Sequence, residues 1–319
     1  MKILVLGAGA TGGYFGARLA AAGADVTFLV RPERRRQIER DGLSVKSPFG
    51  DLRIKPKMVV ESELQPEYGA VLLTCKAYDL DGAMTSVAPA IGPRTCILPL
   101  LNGVRHIAML DERFGKSRVL GGLCHISATL APGGEILHLN DTHILTVGAR
   151  LDSQNQAVRG IEDAFRDTGV RFRVSQAIER EMWEKFCFIA TLSALTCLMR
   201  ANVGDIVATH DGVKLMAEAL DACIAVARRR GAAIEEAWRE RTLVTLIKPG
   251  STLTASMLRD IERGARTEAE HVLGDMHRRS EVVGVANPWI RAAYCHLETY
   301  ELRRARTSPR PAGEGHESA

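Results

Sequence analysis

The sequence predicts an α/β protein in which a doubly wound parallel sheet precedes an all-helical domain. In the first half, short apolar runs alternate with helical patterns; from about Gln176, strand patterns give way to long helical ones. A chain of 319 residues is long enough for two cores. We therefore predict a first domain over residues 1–175 and a helical domain over 176–305. Residues 306–319, rich in proline, glycine and charge, are predicted to be a disordered tail.

The strands predicted in the first half are continuous apolar runs, as expected of parallel strands buried on both faces. These strands span 2–6, 25–30, 70–75 and 95–101, with helices predicted over 11–22, 33–40 and 79–88. Pro48 and Gly50 indicate a hairpin within residues 43–60, and residues 118–149 favour antiparallel strands that extend the sheet. The helices predicted for the second half span 176–199, 211–230, 233–246, 254–263 and 267–283.

The composition is that of an ordinary soluble protein, with 46% hydrophobic and 25% charged residues and a net charge of +4. The modest positive charge argues against a nucleic-acid binder and is compatible with an anionic ligand. The seven cysteines form no CxxC pair, which indicates reduced thiols and no metal site. We find no signal-peptide core and no long uninterrupted apolar segment, so we expect a cytoplasmic protein that does not bind membranes.

A glycine-rich turn directly follows the first predicted strand and directly precedes a helix. Its residues Gly7, Ala8, Gly9, Ala10, Thr11 and Gly12 form the pattern G-x-G-x-x-G. The first glycine permits a tight turn, the second lets a pyrophosphate approach the backbone, and the third lets helix and strand pack closely. The alternative is a turn without a ligand, but this context favours a dinucleotide site of the Rossmann type.

The residue after the second predicted strand indicates which dinucleotide is bound. NAD sites usually carry Asp or Glu at this place, whereas this chain has Arg31, followed by the basic run 34–36. A guanidinium can bind two oxygens of a 2′-phosphate at once. We therefore expect NADP(H), with Arg31 as the phosphate ligand, and we expect two of the other arginines to be solvated at a helix start.

Polar side chains also follow two further predicted strands. Lys76 follows the third strand and Asn102 the fourth. Ligands of open α/β sheets bind at the carboxyl ends of the strands, so both residues are candidates for the cofactor site. The alternative is that each residue only caps a loop, and an asparagine before glycine is common in turns.

Together these motifs resemble the ketopantoate reductase (2-dehydropantoate 2-reductase) family. The resemblance rests on "GAGATGG" near the N-terminus, "TCKAYD", "LLNGV", "MWEKF" and "SMLRDIERGARTE". It implies a Rossmann domain followed by a helical domain similar to the C-terminal domain of 6-phosphogluconate dehydrogenase. It also implies reduction of 2-dehydropantoate to pantoate with NADPH, in the biosynthesis of pantothenate and coenzyme A.

The resemblance assigns roles to individual residues. The residues that it implies for the cofactor are those of the glycine motif with Arg31, Lys76, Asn102 and Glu268. Lys185 corresponds to the catalytic lysine, and Asn102 and Glu268 complete the catalytic set. Ser256 and Asn202 correspond to substrate-binding residues, although Asn202 aligns only with a one-residue shift. By residue type alone, Ser256 is also compatible with a helix cap, and Thr267 with Glu270 suggests a capping box.

The chain departs from the family pattern one and two helical turns after Lys185. The family has asparagines there, whereas this chain has Ile189 and Ser193. Both positions share one helix face with Lys185, so they are predicted to meet the substrate, and only Ser193 keeps a hydrogen-bonding group. The departure favours a 2-oxo acid reductase whose substrate is 2-dehydropantoate or a 2-oxo acid with a more apolar tail.

Other functions stay open at the level of the sequence. One is a 3-hydroxy acid or opine-type dehydrogenase with the same domain arrangement. Another is a non-catalytic NADPH sensor, although Lys185, Asn102 and Glu268 argue against it because binding alone does not need a proton donor. The long apolar helices suit a homodimer as well as an internal core.

Overall fold

A computed structural model describes residues 1–307, which divide into two compact units. Unit 1 comprises Met1–Cys187 with Gly231–Glu235; unit 2 comprises Phe188–Arg230 and the described residues from Glu236 onward. The division falls inside a helix, twelve residues after the predicted boundary at 175. The last helix reaches Thr307, so the first two residues of the predicted tail are helical, and 308–319 lie outside the described residues.

Unit 1 is built on a parallel sheet of five strands, β1 (Ile3–Leu6), β2 (Val26–Leu29), β5 (Lys57–Val59), β6 (Ala70–Leu73) and β7 (Cys96–Pro99). Their order in the sheet is β5-β2-β1-β6-β7, which confirms the predicted doubly wound fold. The helices are α1 (Ala10–Ala21), α2 (Pro32–Asp41), α3 (Leu80–Val87), α4 (Arg105–Phe114) and α5 (Asn155–Phe165). Because both faces of the sheet are covered, its central strands are fully buried.

The predicted hairpin is present as β3 (Leu43–Lys46) and β4 (Leu52–Ile54), which pair antiparallel. These two strands belong to a second sheet, completed by β9 (Ala128–Leu130) and β10 (Ile136–His138). Elements of this second sheet contact α1. The hairpin therefore lies over the helix that follows the glycine motif.

The expectation that residues 118–149 extend the main sheet is wrong. Besides β9 and β10, this segment contributes to a third sheet made of β8 (Gly121–His125), β11 (Ile144–Gly148) and β12 (Arg171–Val174). An isolated bridge joins Ile97 of β7 to Val119. The next residue of β7 on that side is Pro99, which has no N–H to donate, so the ladder cannot continue. The sequence analysis did not predict β12.

Unit 2 is helical in its described part, as predicted. Its helices are α7 (Val203–Val207), α8 (Gly212–Arg229), α9 (Glu236–Leu246), α10 (Ser256–Glu262), α11 (Asp275–Val282) and α12 (Pro288–Thr307). A π-helical turn, Glu270–Gly274, leads directly into α11. Helix α8 contacts α7, α9, α11 and α12, and its buried face carries Met216, Leu220 and Cys223.

Helix α6 (Ile178–Met199) contains the division between the two units. Among the described residues it is the one helix whose length and composition would let it cross a membrane, with a mean hydropathy of 1.3. Within its most apolar stretch, 61% of the residues are buried in the protein. A core helix passes the same test of length and composition, so the test does not indicate a membrane span.

Candidate active site

The glycine motif forms the turn between β1 and α1. Gly7 adopts φ +87°, a conformation that side chains disfavour, and its N–H donates to the carbonyl of Leu29 at 2.9 Å. At Gly12 an added Cβ would lie 2.2 Å from Thr74 Oγ1 and 2.5 Å from the carbonyl oxygen of Gly7. At Gly9 an added Cβ would meet no atom within 4 Å. The first and third glycines are therefore required by the fold, whereas the space beside Gly9 is open.

The N-terminus of α1 suits an anion. Its first turn has no acidic residue, and the N-cap residue Gly9 offers no side chain to the free N–H groups. Ala10 and Thr11, which begin the helix, are partly exposed. Unpaired N–H groups and the positive end of the helix dipole attract phosphate, so this turn fits the pyrophosphate of a dinucleotide.

The arginines after β2 have different surroundings. Arg31 is the N-cap residue of α2, its side chain is 84% exposed, and its Nη2 lies 3.7 Å from Asp79 Oδ2. Arg35 is bonded to Glu39 and Glu63. Arg36 is exposed, as expected of a solvated residue. A distant, exposed ion pair contributes about 0–1 kcal/mol, so it leaves Arg31 available to a phosphate.

Arg34 is partly buried and faces the glycine motif. Its Nε and Nη2 donate to the carbonyl oxygen of Ala8 at 3.2 and 3.0 Å, and Nη2 also donates to the carbonyl of Gly134 at 2.9 Å. Burial lowers the pKa of its guanidinium. The sequence analysis missed this contact because Arg34 is indistinguishable from its neighbours in a basic run.

Lys76 and Asn102 lie at the same edge of the sheet as the glycine motif, because β1, β6 and β7 are parallel and their carboxyl ends coincide. Lys76 is exposed and precedes a single helical turn, Ala77–Asp79. Asn102 is partly buried and precedes Gly103, whose φ of +80° makes the turn into α4. The structure thus brings the candidates Lys76 and Asn102 to the carboxyl edge of the main sheet.

Lys185 lies in the part of α6 that belongs to unit 1. Its Nζ donates to the carbonyl oxygen of Cys124 on β8 at 2.7 Å, and the residue is partly buried. Ile178 and Met182, on the same helix, pack against Leu123 of β8. These apolar contacts fix the helix on the strand and place the ammonium at its carbonyl acceptor, which the sequence analysis did not identify.

Charged and polar groups surround the start of α6. Glu181 accepts hydrogen bonds from Arg173 and from Ser175 Oγ, the latter at 2.6 Å. The Arg173 and Ser175 hydrogen bonds hold the pKa of Glu181 below its usual value, against the effect of burial. Desolvation and the cations Lys185 and Arg173 lower the pKa of His125, although the residue is exposed. A neutral imidazole therefore stands on the strand residue next to Cys124.

Glu268 belongs to unit 2 and is 8% exposed. Its carbonyl accepts the N–H of Val272 at 3.0 Å at the start of the π-helical turn. The capping box suggested for Thr267 and Glu270 does not form. The N–H and the Oγ1 of Thr267 both donate to Glu301 Oε1, at 2.7 and 2.8 Å, and the Glu270 carboxylate accepts from Tyr294 Oη. The alternative explanation of this motif as a helix cap is therefore wrong.

Two predicted substrate residues of unit 2, Ser256 and Asn202, lie at the starts of helices. Ser256 is exposed at the first position of α10, after the N-cap residue Ala255, so it is not the cap. Asn202 is the N-cap of α7: its Oδ1 accepts from the N–H of Asp205 at 2.8 Å, and its Nδ2 donates to Asp205 Oδ2 at 2.7 Å. These bonds give Asn202 a structural role. Its predicted role toward substrate stays a prediction.

On α6, Ser193 is 2% exposed and Ile189 is partly buried. Both residues belong to unit 2, as do Asn202, Ser256 and Glu268. The roles assigned to these residues toward substrate and cofactor therefore stay predictions. Among the described residues, no group of three or more His, Cys, Asp or Glu side chains could hold a metal ion.

Comparison with known proteins decides the family. The model of "Ketopantoate reductase PanE/ApbA" matches residues 3–151, and that of its C-terminal domain matches residues 177–301. A relative from Bacillus subtilis, "Uncharacterized oxidoreductase YkpB", is 34% identical over 95% of this chain and 100% of its own length. The chain belongs to the ketopantoate reductase family. The predicted resemblance is thereby confirmed, and the chain is an oxidoreductase.

Further known proteins are similar to this one over more than 90% of its chain. The 2-dehydropantoate 2-reductase of Halobacterium salinarum is 28% identical over 91% of this chain and 96% of its own. The structure of 2-dehydropantoate 2-reductase from Geobacter metallireducens is 27% identical, with a TM-score of 0.85 over 94% of this chain and 99% of that one. A D-mandelate dehydrogenase with NADH and anilino(oxo)acetate shares the fold at 21% identity, with a TM-score of 0.86 over 96% and 99% of the two chains.

Proposed function

We propose that this protein reduces a 2-oxo acid to the 2-hydroxy acid with NADPH, and that 2-dehydropantoate, reduced to pantoate, is its first candidate substrate. The observation that carries the proposal is the ammonium of Lys185, held by the carbonyl of Cys124 in the compact unit that also carries the glycine motif. A dinucleotide-binding turn and a fixed proton donor are the two parts that reduction of a carbonyl requires.

The residues after β2 support NADPH as the cofactor. The exposed guanidinium of Arg31 follows the strand where NAD enzymes usually have a carboxylate, and the turn at Gly9 has room for a pyrophosphate. When bound, the dinucleotide supplies the hydride. The D-mandelate dehydrogenase of the same fold holds NADH, so the choice between the two dinucleotides needs its own test.

Lys185 supplies the proton in this proposal. Hydride addition to a ketone carbon leaves negative charge on oxygen, and a nearby ammonium both stabilises that charge and protonates it to the alcohol. Lysine suits this role because its pKa falls readily on burial, whereas arginine holds its proton. Asn102 is proposed to orient the substrate and the nicotinamide, and Glu268 to complete the catalytic set.

A second candidate substrate is a 2-oxo acid with a more apolar tail. Ile189 cannot hydrogen-bond a hydroxyl, and Ser193 is almost completely buried. A polar substrate group left buried and unpaired costs about 1–3 kcal/mol, so an isoleucine facing the substrate would favour an apolar tail. Relatives named 2-dehydropantoate 2-reductase support the first candidate, and this residue change supports the second.

Steady-state oxidation of NADPH with a panel of 2-oxo acids tests the proposal. The panel comprises 2-dehydropantoate and branched aliphatic and aromatic 2-oxo acids, each also assayed with NADH. We expect turnover of at least one of these acids, with a higher kcat/KM with NADPH than with NADH. A preference for 2-dehydropantoate by orders of magnitude would exclude the apolar alternative, and no turnover of any 2-oxo acid would exclude the reductase.

A further inference from the structure

The side chain of Arg34 connects three segments of unit 1. It starts from the first turn of α2 and reaches the carbonyl of Ala8 with two nitrogens and that of Gly134 with one. Its Nη1 donates to Gln37 Oε1 at 2.5 Å. Every nitrogen of the guanidinium is therefore already a donor to the protein, and the group cannot present an open pair of N–H groups to a phosphate.

The hydrogen bonds from Arg34 to the carbonyl of Ala8 orient a peptide group of the glycine motif. The carbonyl of Ala8 and the N–H of Gly9 belong to one planar trans peptide group, in which they point in opposite directions. By holding the oxygen of Ala8, Arg34 fixes the direction of the N–H of Gly9, at the turn where an added Cβ would meet open space. Donation to the oxygen also polarises the peptide and strengthens its N–H as a donor.

We propose that Arg34 is a positioning residue for the dinucleotide: it sets the Gly9 peptide for the pyrophosphate and does not read the 2′-phosphate. The inference rests on the proposed function, because it presumes that the glycine motif binds a dinucleotide. NADPH and NADH carry the same pyrophosphate. Arg34 therefore serves both equally, whereas the exposed Arg31 serves NADPH.

The turn that carries Gly134 holds Arg34 in place. Gly134 adopts φ +86°, and an added Cβ there would lie 2.4 Å from Arg34 Nη1. The neighbouring carbonyl of Gly133 accepts from Gln37 Nε2 at 2.9 Å. The turn between β9 and β10 thus contacts the guanidinium as well, which keeps the orientation of the Arg34 side chain fixed before a ligand arrives.

Isothermal titration of NADPH and NADH into the full-length protein and three variants tests the inference. Arg34→Ala is expected to raise the Kd of both dinucleotides by the same factor, about ten- to a hundredfold, since the hydrogen bond that is lost has a charged donor. Arg34→Lys should recover part of the loss, because an ammonium can still donate to Ala8. Arg35→Ala is the matched control: this neighbouring arginine is bonded to Glu39 and Glu63, and the variant should bind as the wild type does.

The outcomes separate the inference from the proposed function. If the wild-type protein binds neither dinucleotide, the proposed function is wrong. If the wild type binds and Arg34→Ala weakens only NADPH, Arg34 is a phosphate ligand and the inference is wrong. If Arg34→Ala melts at a lower temperature but binds both dinucleotides normally, its role is only structural, and the inference is again wrong. Should Arg34→Ala not fold, the same criteria apply to a fourth variant, Arg34→Met, which keeps the aliphatic stem but has no donor for Ala8.

Discussion

The ammonium of Lys185 donates a hydrogen bond of 2.7 Å to the carbonyl oxygen of Cys124, 61 residues earlier in the chain. A carbonyl oxygen accepts one of the three N–H groups of an ammonium and so orients the group. Because Cys124 lies within a paired strand, its carbonyl is a rigid acceptor. The hydrogen bond thus fixes the position of the Lys185 ammonium on β8.

We expect Lys185→Ala to lower kcat by about 10²- to 10⁴-fold, the usual contribution of a placed proton donor. The Kd for NADPH should stay at the wild-type value, because Lys185 does not belong to the glycine motif. Stopped-flow and titration measurements separate the two constants. Lys185→Arg is the companion variant: it keeps the charge but holds its proton, so it should also be slow. Turnover of Lys185→Ala near the wild-type rate would remove the catalytic assignment.

Arg31→Ala is expected to raise the Kd for NADPH by about ten- to a hundredfold, since a charge-assisted hydrogen bond is lost. The Kd for NADH should stay nearly unchanged. The NADPH affinity of the wild type should also fall as salt rises, because Arg31 is exposed and its charge is screened. Kd values for both dinucleotides at two salt concentrations check this. Equal losses for NADPH and NADH would show that Arg31 does not read the 2′-phosphate.

Ile189→Asn tests the second substrate candidate. Restoring an amide one helical turn after Lys185 should raise kcat/KM for 2-dehydropantoate relative to an apolar 2-oxo acid by about tenfold, the value of one satisfied hydrogen bond to a buried group. Ile189→Ala is the control, because it removes the apolar bulk without adding an amide. If both variants shift the ratio equally, side-chain volume and not hydrogen bonding sets the preference.

The surroundings of His143 indicate how the free energy of unfolding depends on pH. It is 6% exposed, accepts or donates a 2.7 Å hydrogen bond with Tyr14, and stacks on Phe49 with ring centroids 3.7 Å apart. Burial, then the charges of Arg18 and His138, lower its pKa. The folded protein therefore binds this proton less readily than the unfolded chain, whose histidines titrate near pH 6.5.

The free energy of unfolding should accordingly fall as the pH drops below about 6.5. Urea unfolding at pH 8, 6.5 and 5.5 measures the slope. His143→Gln, which does not titrate and keeps a partner for Tyr14, should flatten it, while His125 still contributes a slope of the same sign. An unchanged slope in this variant would show that His143 does not control the acid sensitivity.

The sequence predicts most reliably those features that local chemistry determines. The spacing of Gly7, Gly9 and Gly12 after an apolar run predicted the turn, because Gly7 and Gly12 each meet a local steric need of the fold. Arg34 could not be distinguished from Arg35, since its partners Ala8 and Gly134 are distant in sequence. The separate sheets could not be predicted either, because they depend on where Pro99 interrupts pairing with a neighbouring segment.

Arg200, directly after α6, is the one described residue other than glycine with a positive φ, at +55°. A side chain costs about 1–2 kcal/mol in this region, whereas glycine adopts it freely. We expect Arg200→Gly to be more stable than Arg200→Ala by about 1 kcal/mol in urea unfolding. Both variants lack the guanidinium, so their difference isolates the backbone. Ala208→Gly is the opposite control: with φ −74° after α7, it should lose about 0.5–1 kcal/mol. If glycine destabilises both positions, the positive φ of Arg200 is not a source of strain.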